Sequence, residues 1–217
     1  MSKQTLQLRA LEDVADVSPA LQGTSARTSG GDVPIQAITP SAIGDDQRVN
    51  WSRLETVRPS GDSKRYRVMP GDLLLVLRLP LKMAVVDGMP SHDVQGMDPL
   101  SQSPPVIACG MIATVRASEG FVDPYYLAWH LAREATGHEL AREGSGTNIQ
   151  FVSIGALRQL RIPVPPLATQ KGIRRLLEAQ RRIENLQDQH RQVTRRYLDA
   201  VAQKLVNSRN AHSPSHS

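Results

Sequence analysis

After Arg161-Ile-Pro-Val-Pro-Pro166 the next forty residues hold no proline and, beyond Gly172, no glycine. The prolines fix an extended exit, and the uninterrupted stretch behind them reads as a single helix. The pattern predicts that helix from Thr169 to about Val206, roughly 38 residues and about 57 Å at 1.5 Å per residue. Leu176, Ala179, Ile183, Leu186, His190, Val193, Tyr197 and Ala200 recur at alternating steps of three and four, which is the a/d seam of a coiled coil. A helix this long has nowhere to bury that stripe on the 167 residues that precede it. Each large side chain of the seam left in water forfeits roughly 1.5–3 kcal/mol. The seam calls for a partner helix.

The first 167 residues read differently, as short strands punctuated by turns. Val33–Thr39 alternates behind the Gly30-Gly31-Asp32 turn. Pro70-Gly71-Asp72 launches Leu73–Leu79, an apolar run suited to a strand buried on both faces. Val106–Val115 is a second such run, with Gly110 as a bulge or point of close approach. Ile149–Val152 and Leu160–Val164 complete the expected strands, and Asp45–Lys64 and Met83–Pro105 are the expected long loops. Asp123-Pro124 pairs an N-cap with proline at the first helical position, opening a helix over Tyr125–Ala135. Leu6–Val14 is expected as a short helix, and Ser153 as the cap of a turn over Ile154–Gln159. The fold class is thus mixed α/β with few helices, followed by a long coiled-coil helix. The expected domains are 1–167, a spacer helix over 168–207, and a disordered tail over 208–217.

Charge and cysteine content narrow the function. Ala168–Ser217 carries ten basic residues against four acidic, while the rest of the chain carries sixteen against seventeen. The body is polarised: Gln47–Lys82 has eight basic and three acidic residues, and Met83–Ser145 has three and eight. A basic patch on a near-neutral body suits a polyanion held on one face, and it equally suits an uneven solvated surface. The single Cys109 excludes an internal disulfide and the paired spacing of a zinc ribbon. Leu73–Leu81, the longest apolar stretch, is interrupted by Arg78 and Pro80 and falls short of the roughly 18 residues of a membrane span. Met1–Ala20 has three acids and no long apolar block, so a cytoplasmic chain is expected.

Motifs for catalysis are missing. Asp123-Pro-Tyr-Tyr126 resembles the (Asp/Asn)-Pro-Pro-(Tyr/Phe) loop of amino-methyltransferases, but it lacks the second proline and any glycine-rich cofactor turn. Its plain reading is a helix cap followed by core tyrosines. His92, His130, His138 and His190 are not at metal-ligand spacing, and Asp62-Ser-Lys64 reads as turn residues. There is no nucleophile elbow and no phosphate loop. Gly144-Ser-Gly-Thr-Asn148 is a small polar loop that lets backbone approach a nucleic acid and offers hydroxyl and amide groups. It also suits an ordinary connection. Asn148 and Gln150 have the donor–acceptor pair that matches adenine in a major groove. The expected DNA face comprises Arg48, Arg53, Arg58, Lys64, Arg65, Arg78 and Lys82 for phosphates, together with Ser145, Gly146, Thr147, Asn148 and Gln150. Of these, Thr147, Asn148 and Gln150 are the candidates for base edges.

Four segments stand in a telling order. A basic loop precedes Tyr66-Arg-Val-Met-Pro-Gly-Asp-Leu-Leu-Leu-Val-Leu-Arg78. Asp123-Pro-Tyr-Tyr-Leu-Ala-Trp129 and Gly144-Ser-Gly-Thr-Asn148 come next. Ile162-Pro-Val-Pro-Pro-Leu-Ala-Thr-Gln-Lys-Gly-Ile173 then runs into the long helix. From about Leu8 to Val206 this resembles one half of the DNA specificity (S) subunit of type I restriction–modification systems, the Pro-Pro…Gln…Ile element being the most specific part. The resemblance implies a target recognition domain over residues 1–167 that reads half of a split duplex site, and a spacer helix that sets the distance between two such domains. It implies phage defence as the setting, no catalysis by this chain, and partners in a DNA adenine methyltransferase (M) subunit using S-adenosylmethionine and a restriction (R) subunit. No cofactor is expected on this chain. A whole S subunit has two recognition domains and two helices, so one of each implies a homodimer through antiparallel helices, or pairing with another half subunit. A coiled-coil adaptor whose globular part binds protein is the alternative.

Overall fold

The computed structural model describes residues 7–22, 34–59, 62–89, 105–143 and 151–210. Its strands are β1 Gln7–Ala10, β2 Ala15–Pro19, β3 Ile35–Ile38, β4 Glu55–Val57, β5 Leu73–Val76, β6 Met83–Val85, β7 Val106–Ala108, β8 Ile112–Ala117 and β9 Arg161–Val164. The helices are α1 Pro124–Leu131, α2 Glu134–Glu143, α3 Ile154–Gln159 and α4 Leu167–Asn210. Contacts divide the chain into two units, Met1–Lys171 and Gly172–Ser217. The described residues form a mixed α/β unit of short strands and few helices followed by a long helix, the class that the sequence pattern predicts.

Leu73-Leu-Leu-Val76 becomes β5, and all four side chains are buried. It is a central strand, flanked by β8 and β6 in a sheet of order β2-β8-β5-β6, which covers it on both sides. The turn that launches it is held by Asp72, only 1% exposed. Its carboxylate accepts from the Met69 amide at 2.7 Å and from Arg116 Nε and Nη2 at 2.7 and 2.8 Å. A buried anion stays charged only when so paired. The hydrogen bond to Asp72 in turn pushes the Arg116 guanidinium above its ordinary value, against the opposing effect of burial.

The run Val106–Val115 does not form one strand. Gly110, at φ +85°, breaks it, so β7 lies parallel to β3 in a β4-β3-β7 sheet while β8 enters the four-stranded one. Alternation then splits the core. Val106 and Ala108 join Ile38, Leu74, Val76 and Ile112, whereas Ile107 and Cys109 join Leu21, Ala37 and Val57.

Several local expectations give way to long-range pairing. The expected helix over Leu6–Val14 is instead β1 and a 3-10 turn, Leu11–Asp13, because Gln7–Ala10 pairs antiparallel with β9. Leu6 itself lies outside the described residues. The stretch Asp45–Lys64 contains β4, which pairs with β3. Met83–Val85, read as loop, is β6 against β5. Phe151 makes a single bridge to Arg78. Residues 149–150 and 90–104 lie outside the described residues, as do 211–217 of the expected tail.

The caps form as read. Asp123 Oδ1 accepts from the amides of Tyr125 and Tyr126 at 2.9 and 3.2 Å, and Ser153 Oγ from Ala156 at 3.0 Å. The helix after Asp123 ends at Leu131, and α2 follows. On α1, Tyr126 is buried and donates its hydroxyl proton to the Pro163 carbonyl at 2.6 Å. The first turn of α4 is anchored by Gln170, whose side chain is 0% exposed. Its Oε1 accepts from the Asp123 amide at 2.8 Å, and its Nε2 donates to the carbonyls of Phe121 and Pro165 at 3.1 and 2.7 Å.

Helix α4 starts two residues before the expected Thr169, within the first unit, and extends four beyond Val206, 44 residues in all, about 66 Å. Its seam is bare: Leu176 is 72% exposed, Ile183 56%, Leu186 58%, Val193 64% and Tyr197 67%. His190 is exposed as well.

Gln170→Leu keeps the side-chain bulk but strips partners from three backbone groups, each worth about 1–3 kcal/mol when left buried and unpaired. Urea unfolding should show a loss of roughly 3 kcal/mol or more. A midpoint equal to that of the wild type would contradict this anchoring.

Candidate nucleic-acid interface

The Cys109–Met111 turn organises one end of the first unit. The Gly110 amide donates to Leu21 O at 2.8 Å, and Gln22 Nε2 donates to Gly110 O at 2.8 Å. The Cys109 amide reaches Ile38 O, and the Leu77 amide reaches Met111 O, both at 2.9 Å. The register Ile38↔Ala108 and Val76↔Ile112 brings the ends of β3 and β5 to this same turn. A Cβ on Gly110 would stand 3.3 Å from Pro40 Cδ, so glycine is needed there for close approach as well as for its φ.

Segments that join the strand ends meeting at this turn carry most of the expected basic residues, and all of them are exposed. Arg53 Nη1 donates to Ser41 O at 3.4 Å, just past Pro40. Arg48 lies in the loop closed by the Ile43↔Val49 bridge, its amide donating to Asp46 Oδ1 at 3.2 Å. Lys82, whose carbonyl accepts from Val76 at 2.8 Å, pairs with Asp45 at 2.6 Å. Arg78 follows Leu77 directly. The antiparallel bridge Arg67↔Ile107 sends Arg65 and Lys64 toward the Cys109 end of β7, and Arg65 lies over the Tyr66 ring at 4.7 Å. Six of the seven expected cations therefore belong to this end.

Arg58 does not. It follows Val57, which pairs with Ile35 at the start of β3, the end away from Gly110. Acidic groups at the cationic end are engaged: Asp45 with Lys82, Asp46 with the Arg48 amide, and Glu55 with the Thr39 hydroxyl at 2.8 Å. Ser145, Gly146, Thr147, Asn148 and Gln150 lie outside the described residues.

Two residues here escape a sequence reading. Met111 and Phe151 are 42% and 44% exposed. Each lies in an expected strand, Val106–Val115 or Ile149–Val152, and each immediately precedes a buried residue, Ile112 or Val152.

Among the described residues no group of three or more His, Cys, Asp or Glu is placed to hold a metal, and no helix is long and apolar enough to cross a membrane. His130 is buried beside Tyr126 and Trp129, with ring centroids 6.3 Å away in each case. Burial, and then the charge of Arg133, push its pKa below the ordinary value.

No protein-family model matches the sequence, and no curated protein matches it. Solved structures do. A chain from work on the complex assembly and conformational transition of the type I R-M system aligns over 95% of this chain and 46% of its own, with 17% identity and a TM-score of 0.61. The HsdS subunit from Thermoanaerobacter tengcongensis aligns over 99% of this chain and 41% of its own, with 16% identity and a TM-score of 0.49. The type I restriction-modification S subunit from M. genitalium aligns over 75% and 35%, with 12% identity and a TM-score of 0.41. The first of these superpositions shows a shared fold. The present chain spans 46% of the length of that partner, somewhat under half.

Gly110→Ala tests the turn. A left-handed backbone costs an L-residue about 1–2 kcal/mol, to which crowding by Pro40 adds. Thermal unfolding should occur at a clearly lower temperature than in the wild type. An unchanged midpoint would mean that the turn relaxes freely and does not fix the ends of β3 and β5.

Proposed function

We propose that this chain is a DNA specificity component of a type I restriction–modification or related defence system, with no chemistry of its own. The observation that carries the reading is the fold shared along 95% of the chain with a chain of a type I R-M system. The cationic end around Gly110 supports it physically. Phosphates of a duplex would meet Arg48, Arg53, Lys64, Arg65, Arg78 and Lys82, while Thr147, Asn148 and Gln150 are the proposed readers of base edges. Arg58, at the far end of β3, belongs outside this contact.

The bare seam of α4 supports the second half of the reading. Leu176, Ile183, Leu186, Val193 and Tyr197 are all more than half exposed, and a second helix would cover them. The simplest occupant is another copy of this chain, since an antiparallel pair of identical helices is isologous and closed. Two recognition units would then address a bipartite site. Methylation and cleavage belong to separate methyltransferase and nuclease subunits, the former carrying S-adenosylmethionine.

Duplex binding measured across a salt series tests the reading. The wild-type affinity should fall steeply with salt as phosphate contacts release counterions. Lys64→Ala with Arg65→Ala should weaken all sequences alike and flatten the slope of log K against log salt by about 1–2, close to one unit for each lost phosphate contact. Absence of salt-dependent duplex binding by the wild type would overturn the proposal in favour of a protein-binding adaptor.

A further inference from the structure

We infer that Met111 and Phe151 are base-contacting residues that meet thymine methyl groups in the major groove, an inference that rests on the DNA reading above. Single exposed apolar side chains are common and need no explanation. These two are different in how they are placed. The Leu77 backbone binds both of their segments, its amide donating to Met111 O at 2.9 Å and its carbonyl accepting from the Val152 amide at 3.2 Å. The segments of Met111 and Phe151 are therefore both bonded to the bend at Leu77, just past the end of β5. Arg78, next in the chain after Leu77, is bridged to Phe151.

Their exposure does not come from loose packing. Ile112 and Val152, which follow them in the chain, are 0% and 3% exposed, and Leu77, bonded to both segments, is 7% exposed. The backbone that follows each of them is thus fixed by the core, and Met111 is further held by the Gly110 turn. The fold presents two apolar side chains on a rigid base.

What surrounds them selects the occupant. Arg48, Arg53, Arg65 and Arg78 belong to the same end of the unit, and its acidic groups are already engaged, Asp45 by Lys82, Asp46 by the Arg48 amide and Glu55 by Thr39. Exposed apolar side chains at a cationic end suit a duplex, which offers phosphates outside and base edges within. Phosphate contact has no use for Met or Phe. In the major groove the apolar feature is the C5-methyl of thymine, which apolar side chains recognise. Met111 and Phe151 thus contribute sequence preference, while the arginines contribute salt-dependent affinity.

The test uses the full chain and a duplex that the wild type itself selects from a pool with a randomised core. Thymines of that duplex are replaced one at a time by uracil, which removes only the methyl. At contacted positions the wild type should bind the uracil form about fourfold more weakly, the worth of one buried methyl. The Met111→Ala, Phe151→Ala double variant should bind the parent duplex about tenfold or more weakly, show no thymine preference, and keep the wild-type salt slope. Arg78→Ala should do the reverse, lowering the slope and keeping the thymine preference. If the wild type binds with a steep salt slope but no uracil substitution matters, or if the double variant keeps the preference, the inference falls and the DNA reading stands. A wild type that fails to bind the pool overturns both.

Discussion

A single left-handed glycine governs the first unit. Because Gly110 sits at φ +85°, one apolar run serves two sheets, with β7 beside β3 and β8 beside β5. The turn's backbone groups are bonded to Leu21, Gln22, Ile38 and Leu77, so it collects strand ends that lie far apart in sequence. The side chains that leave those ends are predominantly cationic. The position of the basic face thus follows from how one residue satisfies its neighbours, and no element of that face needs a fold of its own. The opposite end of the sheet is closed by different means, the buried Asp72 carboxylate paired with half-exposed Arg116, whose charge makes the buried anion tolerable.

The second constraint is the buried amide of Gln170. Three backbone groups from two loops converge on it, which explains why a helix begins at this point in the chain after a proline-rich exit. Beyond Lys171 the helix depends on what it does not touch. Its pairs along the surface, Arg174 with Glu178 and Gln180 with Glu184, are worth only a few tenths of a kcal/mol each. The apolar seam holds far more free energy, all of it unrealised until another helix arrives. In the proposed role that deficit is the means of assembly: the same stripe that is costly in water would set the spacing of two recognition units.

What sequence reveals here depends on range. β5 is legible because a strand buried on both faces has to be apolar throughout, and the caps at Asp123 and Ser153 are legible because they act within three residues. The seam of α4 is legible for the same reason. β1 is not: Gln-Leu-Arg-Ala has no strand signature, and its partner Arg161–Val164 lies some 150 residues on. β4 and β6 hide inside apparent loops, since three-residue strands are defined by the strands they join. The candidate face is legible in composition but not in layout. Counting charges gathers Arg58 with the rest, and only the β3–β4 register separates it from them. Met111 and Phe151 are hidden for the converse reason, being apolar residues of expected strands that the fold leaves partly exposed.

The central claim is that two copies of one recognition unit, joined through paired α4 helices, address a single duplex at two separated places. Hydroxyl-radical footprinting of the chain on its selected duplex measures this directly. The account predicts two protected patches of equal length, related by a two-fold axis and separated by an unprotected gap. One continuous patch, or a single patch with no symmetry mate, would contradict it.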